Sequence, residues 1–248
     1  MLRSGGSIFS NIPPVTKNLI IINFIIWLAM MVLPGRIGID VMQYGALHYF
    51  KAPDFNPAQL LTYMFMHSTS DFAHILFNMF TLFMFGVTLE RVLGAPRFLF
   101  YYISCGIGAA LIQELVWSWT WEDIFVKSMA NFYGVDFPEM REAISAAVSS
   151  GQELTFLNQL QTIGASGAIY GVLLAFGMLF PNMPLFIMFI PVPVKAKWMV
   201  IGYGVIELLI GLSSANDGVA HFAHLGGMIF GFIMIWIWKK KGTIYGGY

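Results

Sequence analysis

The feature that most constrains this chain is a series of long apolar runs almost free of charge. They cover about Lys17–Leu33, Asp71–Leu89, Phe98–Leu115, Ser166–Phe180, Trp198–Leu212 and Val219–Trp238. In hydrocarbon a run of that length must satisfy its own backbone N–H and C=O groups, and a single segment does so only as a helix. Composition agrees. Of 248 residues, 58% are hydrophobic and 10% charged, where a soluble domain carries about 25% charged residues. The expected fold class is an all-α polytopic membrane protein of about six spans in one domain. Net charge is zero, so nothing points to a nucleic-acid partner. Cys105 is the single cysteine, which excludes an intramolecular disulfide. No internal repeat and no cleavable signal peptide are evident.

The polar stretches divide the chain. Residues 1–16 read as a cytoplasmic tail, 17–238 as the six-span domain and 239–248 as a second short tail. The first span is expected to stop at Pro34-Gly35. The loop Arg36–Ala58 carries Tyr44, His48, Tyr49, Phe50 and Phe55, an aromatic content typical of the membrane interface. Gln59–Met66 is a short apolar piece ending at His67. The long outer loop, 117–161, contains a short amphipathic helix over about Met140–Val148. Pro184–Pro193, with three prolines, reads as a re-entrant or extended connection. Six spans put Arg3, Lys17, Arg91, Arg97, Lys195, Lys197 and Lys239–Lys241 on one side, and Arg36, Lys51, Lys127 and Arg141 on the other. The basic side is cytoplasmic, so both termini lie inside. The expected setting is a bacterial inner membrane.

Polar groups inside spans are costly and default to functional hypotheses. At the helical rise, His74 lies about 5 Å and Asn78 about 10 Å below the outer end of span two. His221 and His224 lie about 5 Å and 9 Å down span six. Span four is short, and with its inner end flush with the cytoplasmic face Ser166 starts about 8 Å below the outer surface. Ser, His and Asn side chains thus share one layer, with a void above Ser166 for loop residues and water. Ser166 sits in Gly164-Ala165-Ser166-Gly167-Ala168-Ile169-Tyr170-Gly171. Two readings stand: a small-residue seam for close helix packing, or a nucleophile activated by imidazole. In the second, His74, Asn78 and the Ser166 backbone N–H supply oxyanion donors. Glu207 on span five is the one acidic residue near this depth. It could touch the polar layer or hydrogen-bond a neighbouring helix structurally; the structural role is favoured, and with it a Ser–His dyad over a triad.

His74-x3-Asn78, Gly164-x-Ser166-Gly167 with Tyr170, and His224-x2-Gly227-x3-Gly231, in that order, resemble the rhomboid family of intramembrane serine proteases. The resemblance covers about Lys17–Trp238. It implies Ser166 as nucleophile, His224 as base, and His74, Asn78 and the Ser166 amide as the oxyanion hole. Tyr170 is implied as the ring packed on the base. Transmembrane protein substrates are implied as partners, entering laterally from the lipid bilayer past span five and its outer cap, and no metal or cofactor is implied. The glycine stripe His224-Gly227-Gly231 selects His224 over His221 as the base. The Trp-Arg pair of many members' first loop is missing here, and the third connection is longer than the family minimum.

Two other readings remain. One is a catalytically inactive rhomboid-like binder of membrane proteins, which loss of the serine or histidine would mark. The other is a metal or solute transporter using His67/His74 and His221/His224. No Cys, Asp or Glu completes such a ligand set at the expected depth, and no repeat suggests alternating access. His67 and His48 read as loop or interface histidines.

Overall fold

The computed structural model describes residues 11–186, 192–213 and 219–244. Helix α1 (Pro14–Ile37) starts with proline in its first turn. Its N-terminal donors, which have no partner within the helix, meet one buried carboxylate. Glu90 accepts from Val15 N–H at 2.9 Å, Thr16 N–H at 2.7 Å and the Thr16 hydroxyl at 2.8 Å. The helix continues two residues past Pro34-Gly35, to Ile37, contrary to expectation. Pro34 withholds an N–H from the Met30 carbonyl, but its ring-fixed φ is compatible with a helix and the turn runs on to Ile37. The helix closes instead at Gly38, in the left-handed conformation with φ 70°.

The first loop then folds against the bundle as α2 (Val41–Gly45), β1 (Leu47–His48) and α3 (Gln59–Thr62), extended by a 3-10 turn over Tyr63–Phe65. The second span is one continuous helix, Phe72–Leu93. It comprises α4 (Phe72–Thr81), a π-helical turn (Leu82–Gly86) and α5 (Val87–Leu93). The Asp71 carboxylate caps it by accepting from Ala73 N–H at 2.9 Å.

The third span departs most from expectation. Helix α6 (Ala95–Tyr133) has 39 residues and is about 58 Å long, against a hydrocarbon core of about 30 Å. Residues 117–133 therefore form no loop. They continue the helix beyond the membrane, because an apolar stripe persists: Trp117, Phe125, Val126 and Ala130 are buried. Helices α7 (Phe137–Ala147), which contains most of the expected Met140–Val148 helix, and α8 (Glu153–Leu157) cover that stripe through Met140, Ile144 and Leu157. The chain returns through β2 (Gln161–Thr162), antiparallel to β1 with Leu47 opposite Thr162 and His48 opposite Gln161. This pairing ties the first loop to the residues just before Ser166.

Helix α9 (Ser166–Leu179) has 14 residues, about 21 Å, and most of its side chains are buried. Strands β3 (Pro184–Leu185) and β4 (Val194–Lys195) then pair antiparallel. The expected connection Pro184–Pro193 is extended over Pro184–Leu185, and residues 187–191 lie outside the described residues, as do residues 1–10 and 245–248 of the two tails. Helices α10 (Ala196–Ser213) and α11 (His221–Lys240) complete the bundle. Among the described residues five helices are long and apolar enough to cross a membrane, and α9 is a shorter apolar one. Ile25, Leu28, Phe77, Phe80, Phe100, Leu209 and Phe232 stand exposed on the bundle's outside, the arrangement of a multi-pass membrane protein whose outer surface meets lipid.

Small residues set the core of the bundle. A Cβ on Gly227 of α11 would overlap the Gly167 carbonyl of α9, and one on Gly171 would lie 2.7 Å from Cys105 Cβ of α6. A Cβ on Gly231 would lie 3.3 Å from Gly171 Cα. Helices α6, α9 and α11 therefore meet nearly backbone to backbone.

Candidate active site

Ser166 is the first residue of α9, so its backbone N–H has no partner within the helix. The residue that delivers the chain to it is Gly164. Its φ of 131° lies where side chains rarely go, and its N–H donates to the Tyr63 carbonyl at 3.0 Å. A Cβ at Gly164 would lie 3.0 Å from His74 Nε2 and 3.6 Å from Ser166 Oγ. The glycine thus leaves open the space between the serine hydroxyl and the histidine of α4.

The glycine contact between α9 and α11 brings His224 to the serine. His224 Nε2 lies 2.7 Å from Ser166 Oγ. The Tyr170 ring, one turn along α9, stacks on the His224 imidazole with centroids 4.3 Å apart and planes at 9°. His224 is buried.

On α4, His74 Nδ1 accepts from Ser68 N–H at 3.2 Å. A neutral imidazole with Nδ1 as acceptor carries its proton on Nε2, so the atom facing Gly164 and Ser166 is a donor. Asn78 Nδ2 donates to the His74 carbonyl at 2.7 Å, within its own helix turn. One N–H of the amide is thereby used in holding the turn, and the second remains. His67 is fully buried rather than interfacial, with its ring centroid 5.0 Å from that of His74. Neither of its ring nitrogens has a hydrogen-bond partner. Burial, and then the neighbouring His74, push its pKa down to about 3. His48 is also buried, its Nδ1 3.1 Å from the Ala46 carbonyl.

Glu207 makes contacts inside the polar layer beyond the structural role expected of it. Its side chain is buried on α10. Oε1 accepts from the Tyr170 hydroxyl. Oε2 lies 2.6 Å from His221 Nδ1 and 2.9 Å from His224 Nδ1. The His224 contact has hydrogen-bond length, 2.9 Å, but is bent away from hydrogen-bond alignment. His221, expected above the serine, is drawn in by the same carboxylate. Depth along separate helices did not reveal this, because it depends on how α10 packs on α9 and α11. The available signal was the general one that an ionisable residue within a span is a functional candidate.

A cavity of about 530 Å³ adjoins the site at the N-terminal end of α11. His221, Gln113, Trp117, Gln161, Thr162 and Phe222 are among its lining. Ser166 and His224 do not line it, so it reaches the cluster through His221.

Comparison with known proteins agrees with the motif pattern. The Rhomboid domain family matches residues 55–120 and 129–241 of this chain. The chain is 27% identical over 173 residues to "Rhomboid protein 1, mitochondrial" of Saccharomyces cerevisiae, a match covering 70% of this chain and 40% of that protein. It is 26% identical over 208 residues to "RHOMBOID-like protein 12, mitochondrial" of Arabidopsis thaliana, covering 83% of this chain and 50% of that one. The matched region thus spans half or less of each relative's length. Both are named as mitochondrial proteins, which lends no support to a bacterial inner membrane.

Proposed function

The chain belongs to the rhomboid family, and from that premise we propose that it is an intramembrane serine endopeptidase cleaving transmembrane proteins. One observation carries the reading: the 2.7 Å separation of Ser166 Oγ and His224 Nε2 at the start of a short helix inside the bundle. In the first step the Ser166 oxygen bonds to the scissile carbonyl carbon while its proton passes to His224 Nε2. The oxyanion that forms takes hydrogen bonds from the Ser166 backbone N–H, from His74 Nε2–H and from the free amide hydrogen of Asn78. The His224 imidazolium then protonates the departing amine as the C–N bond breaks. Water, deprotonated by His224, hydrolyses the acyl-enzyme and restores the serine. Tyr170, stacked on the imidazole, keeps its plane directed at Ser166.

Substrate helices reach the serine from the bilayer past α10, which presents Val205, Leu208, Leu209 and Leu212 outward. The distribution of basic residues supports an orientation with the α4 N-terminus and the cavity on the non-cytoplasmic side and both termini in the cytoplasm.

The test is cleavage of a single-span substrate by purified protein in liposomes, with mass spectrometry to locate the cut. Ser166→Ala and His224→Ala should each abolish cleavage while melting like the parent, and Ser166 should be the residue labelled by a fluorophosphonate. Undiminished cleavage by Ser166→Ala would overturn the mechanism.

A further inference from the structure

A dyad leaves Glu207 without a role, yet this carboxylate is buried in a span whose neighbouring side chains Val205, Ile206, Leu208 and Leu209 are exposed on the outside of the bundle. A carboxylate in that position is costly unless its oxygens are satisfied. Here each oxygen has a partner in the candidate site: Tyr170 on Oε1, His221 and His224 on Oε2. An ionised carboxylate only accepts hydrogen bonds. The ring nitrogens turned toward it are therefore the protonated ones. For His224 the proton then sits on Nδ1, and Nε2, 2.7 Å from Ser166 Oγ, is left as the acceptor a base requires. The same carboxylate holds the hydroxyl of Tyr170, whose ring stacks on His224. One side chain thus bears on both the tautomer and the tilt of the imidazole.

We propose that Glu207 is a positioning residue that holds His224 in its Nδ1–H tautomer, and that this site works as a Ser166–His224–Glu207 triad completed by α10. The proposal rests on the protease reading. It adds that the side of the bundle facing lipid carries part of the catalytic machinery. Among the described elements α10 packs chiefly on α9, α11 and β4. Movement of α10 away from α9 and α11 therefore withdraws the carboxylate from the base. His221 shares Oε2 and acts as a second anchor for it.

The first measurement needs no variant. In the parent protein carrying 15N-labelled histidine, with His224→Ala used to assign its signals, His224 should show the Nδ1–H, Nε2-acceptor pattern of a neutral ring. An Nε2–H pattern overturns the proposal. The second uses Glu207→Gln, which keeps the shape and an acceptor for Tyr170 but turns an N–H toward Nδ1 or removes the charge. Its kcat should fall about 100-fold, since changing the orienting carboxylate to an amide in a triad costs up to about 10⁴ and the contact here is bent. KM should stay within about threefold, and the His224 15N pattern should shift toward Nε2–H. Glu207→Asp should recover part of the lost kcat. A Glu207→Gln protein with parent kcat and an unshifted spectrum, or one that loses only melting temperature and KM, shows a packing role and overturns the proposal. If Glu207→Gln does not fold, the parent's 15N pattern decides alone. Failure of the protease reading is read separately, as undiminished cleavage by Ser166→Ala.

Discussion

Replacing Gly227 with alanine tests the geometry that delivers the base. The added methyl would overlap the Gly167 carbonyl oxygen, a backbone atom within α9 that cannot swing aside as a side chain would. The relief must come from α11 moving off α9. The His224–Ser166 hydrogen bond spans 2.7 Å and lapses beyond about 3.2–3.5 Å, so a retreat of under 1 Å at that level breaks it. Misplacement of about 1 Å costs on the order of 100-fold in rate. Overpacking itself costs about 1–3 kcal/mol, so the variant should still fold. We expect Gly227→Ala to lose about 100-fold in kcat/KM in the liposome assay and to label slowly with fluorophosphonate, with melting lowered by several degrees. Gly202→Ala, on α10 where a Cβ meets nothing within 4 Å, is the control and should keep parent activity. A Gly227→Ala enzyme within threefold of the parent would refute the view that this glycine sets the approach of α11 to α9.

Two further predictions concern stability. His67 is buried with its pKa pushed down to about 3, whereas an unfolded histidine titrates near 6.5. Below pH 6.5 the unfolded state binds the extra proton and the folded state does not. Stability contributed by neutral His67 is thus whole above pH 6.5 and declines as pH falls toward 3, by on the order of 1 kcal/mol per pH unit. His67→Phe, which sacrifices no hydrogen bond of either ring nitrogen, should melt like the parent at pH 7.5 and flatten the acid decline; an unchanged acid decline would show that other groups cause it. Glu90→Ala removes the acceptor of three donors at the start of α1 and should cost about 2–4 kcal/mol in reversible unfolding, while Ser166 in surviving folded protein labels at the parent rate.

Much of this protein follows from sequence because the bilayer is a severe solvent. Hydropathy reports the transfer of each segment into hydrocarbon, which is a local property, and apart from the end of the third helix it located the spans to within a few residues. Local chemistry also marked the ends of α4 and α9, at Asp71 and Ser166. The stripes Gly167-Gly171 and Gly227-Gly231 announced a close helix contact because the absence of side chains is itself local. The extension of α6 was less visible. Beyond Leu115 its exposed residues mix Glu122, Lys127 and Asn131 with Trp119, Phe132 and Tyr133, so apolar side chains do not mark one face, and the buried stripe of Phe125, Val126 and Ala130 has meaning only once α7 and α8 lie on it. The pairing of β1 with β2 joins residues more than a hundred positions apart through backbone groups, which carry no side-chain signal.

Polar partners were the other part that tertiary structure decided. Depth along a helix placed Ser166, His74, Asn78 and His224 in one layer, because rise per residue is fixed. It did not say which atom faces which. Glu207 reaches His224, His221 and Tyr170 only because α10 sits against α9 and α11 with that side chain turned inward. The sequence by itself thus determined the spans, the chemical types and their common depth, since each segment's hydrocarbon solvation is its own. The neighbour of each polar atom was decided by helix packing, because a hydrogen bond depends on angles and ångströms set by segments far apart in the chain.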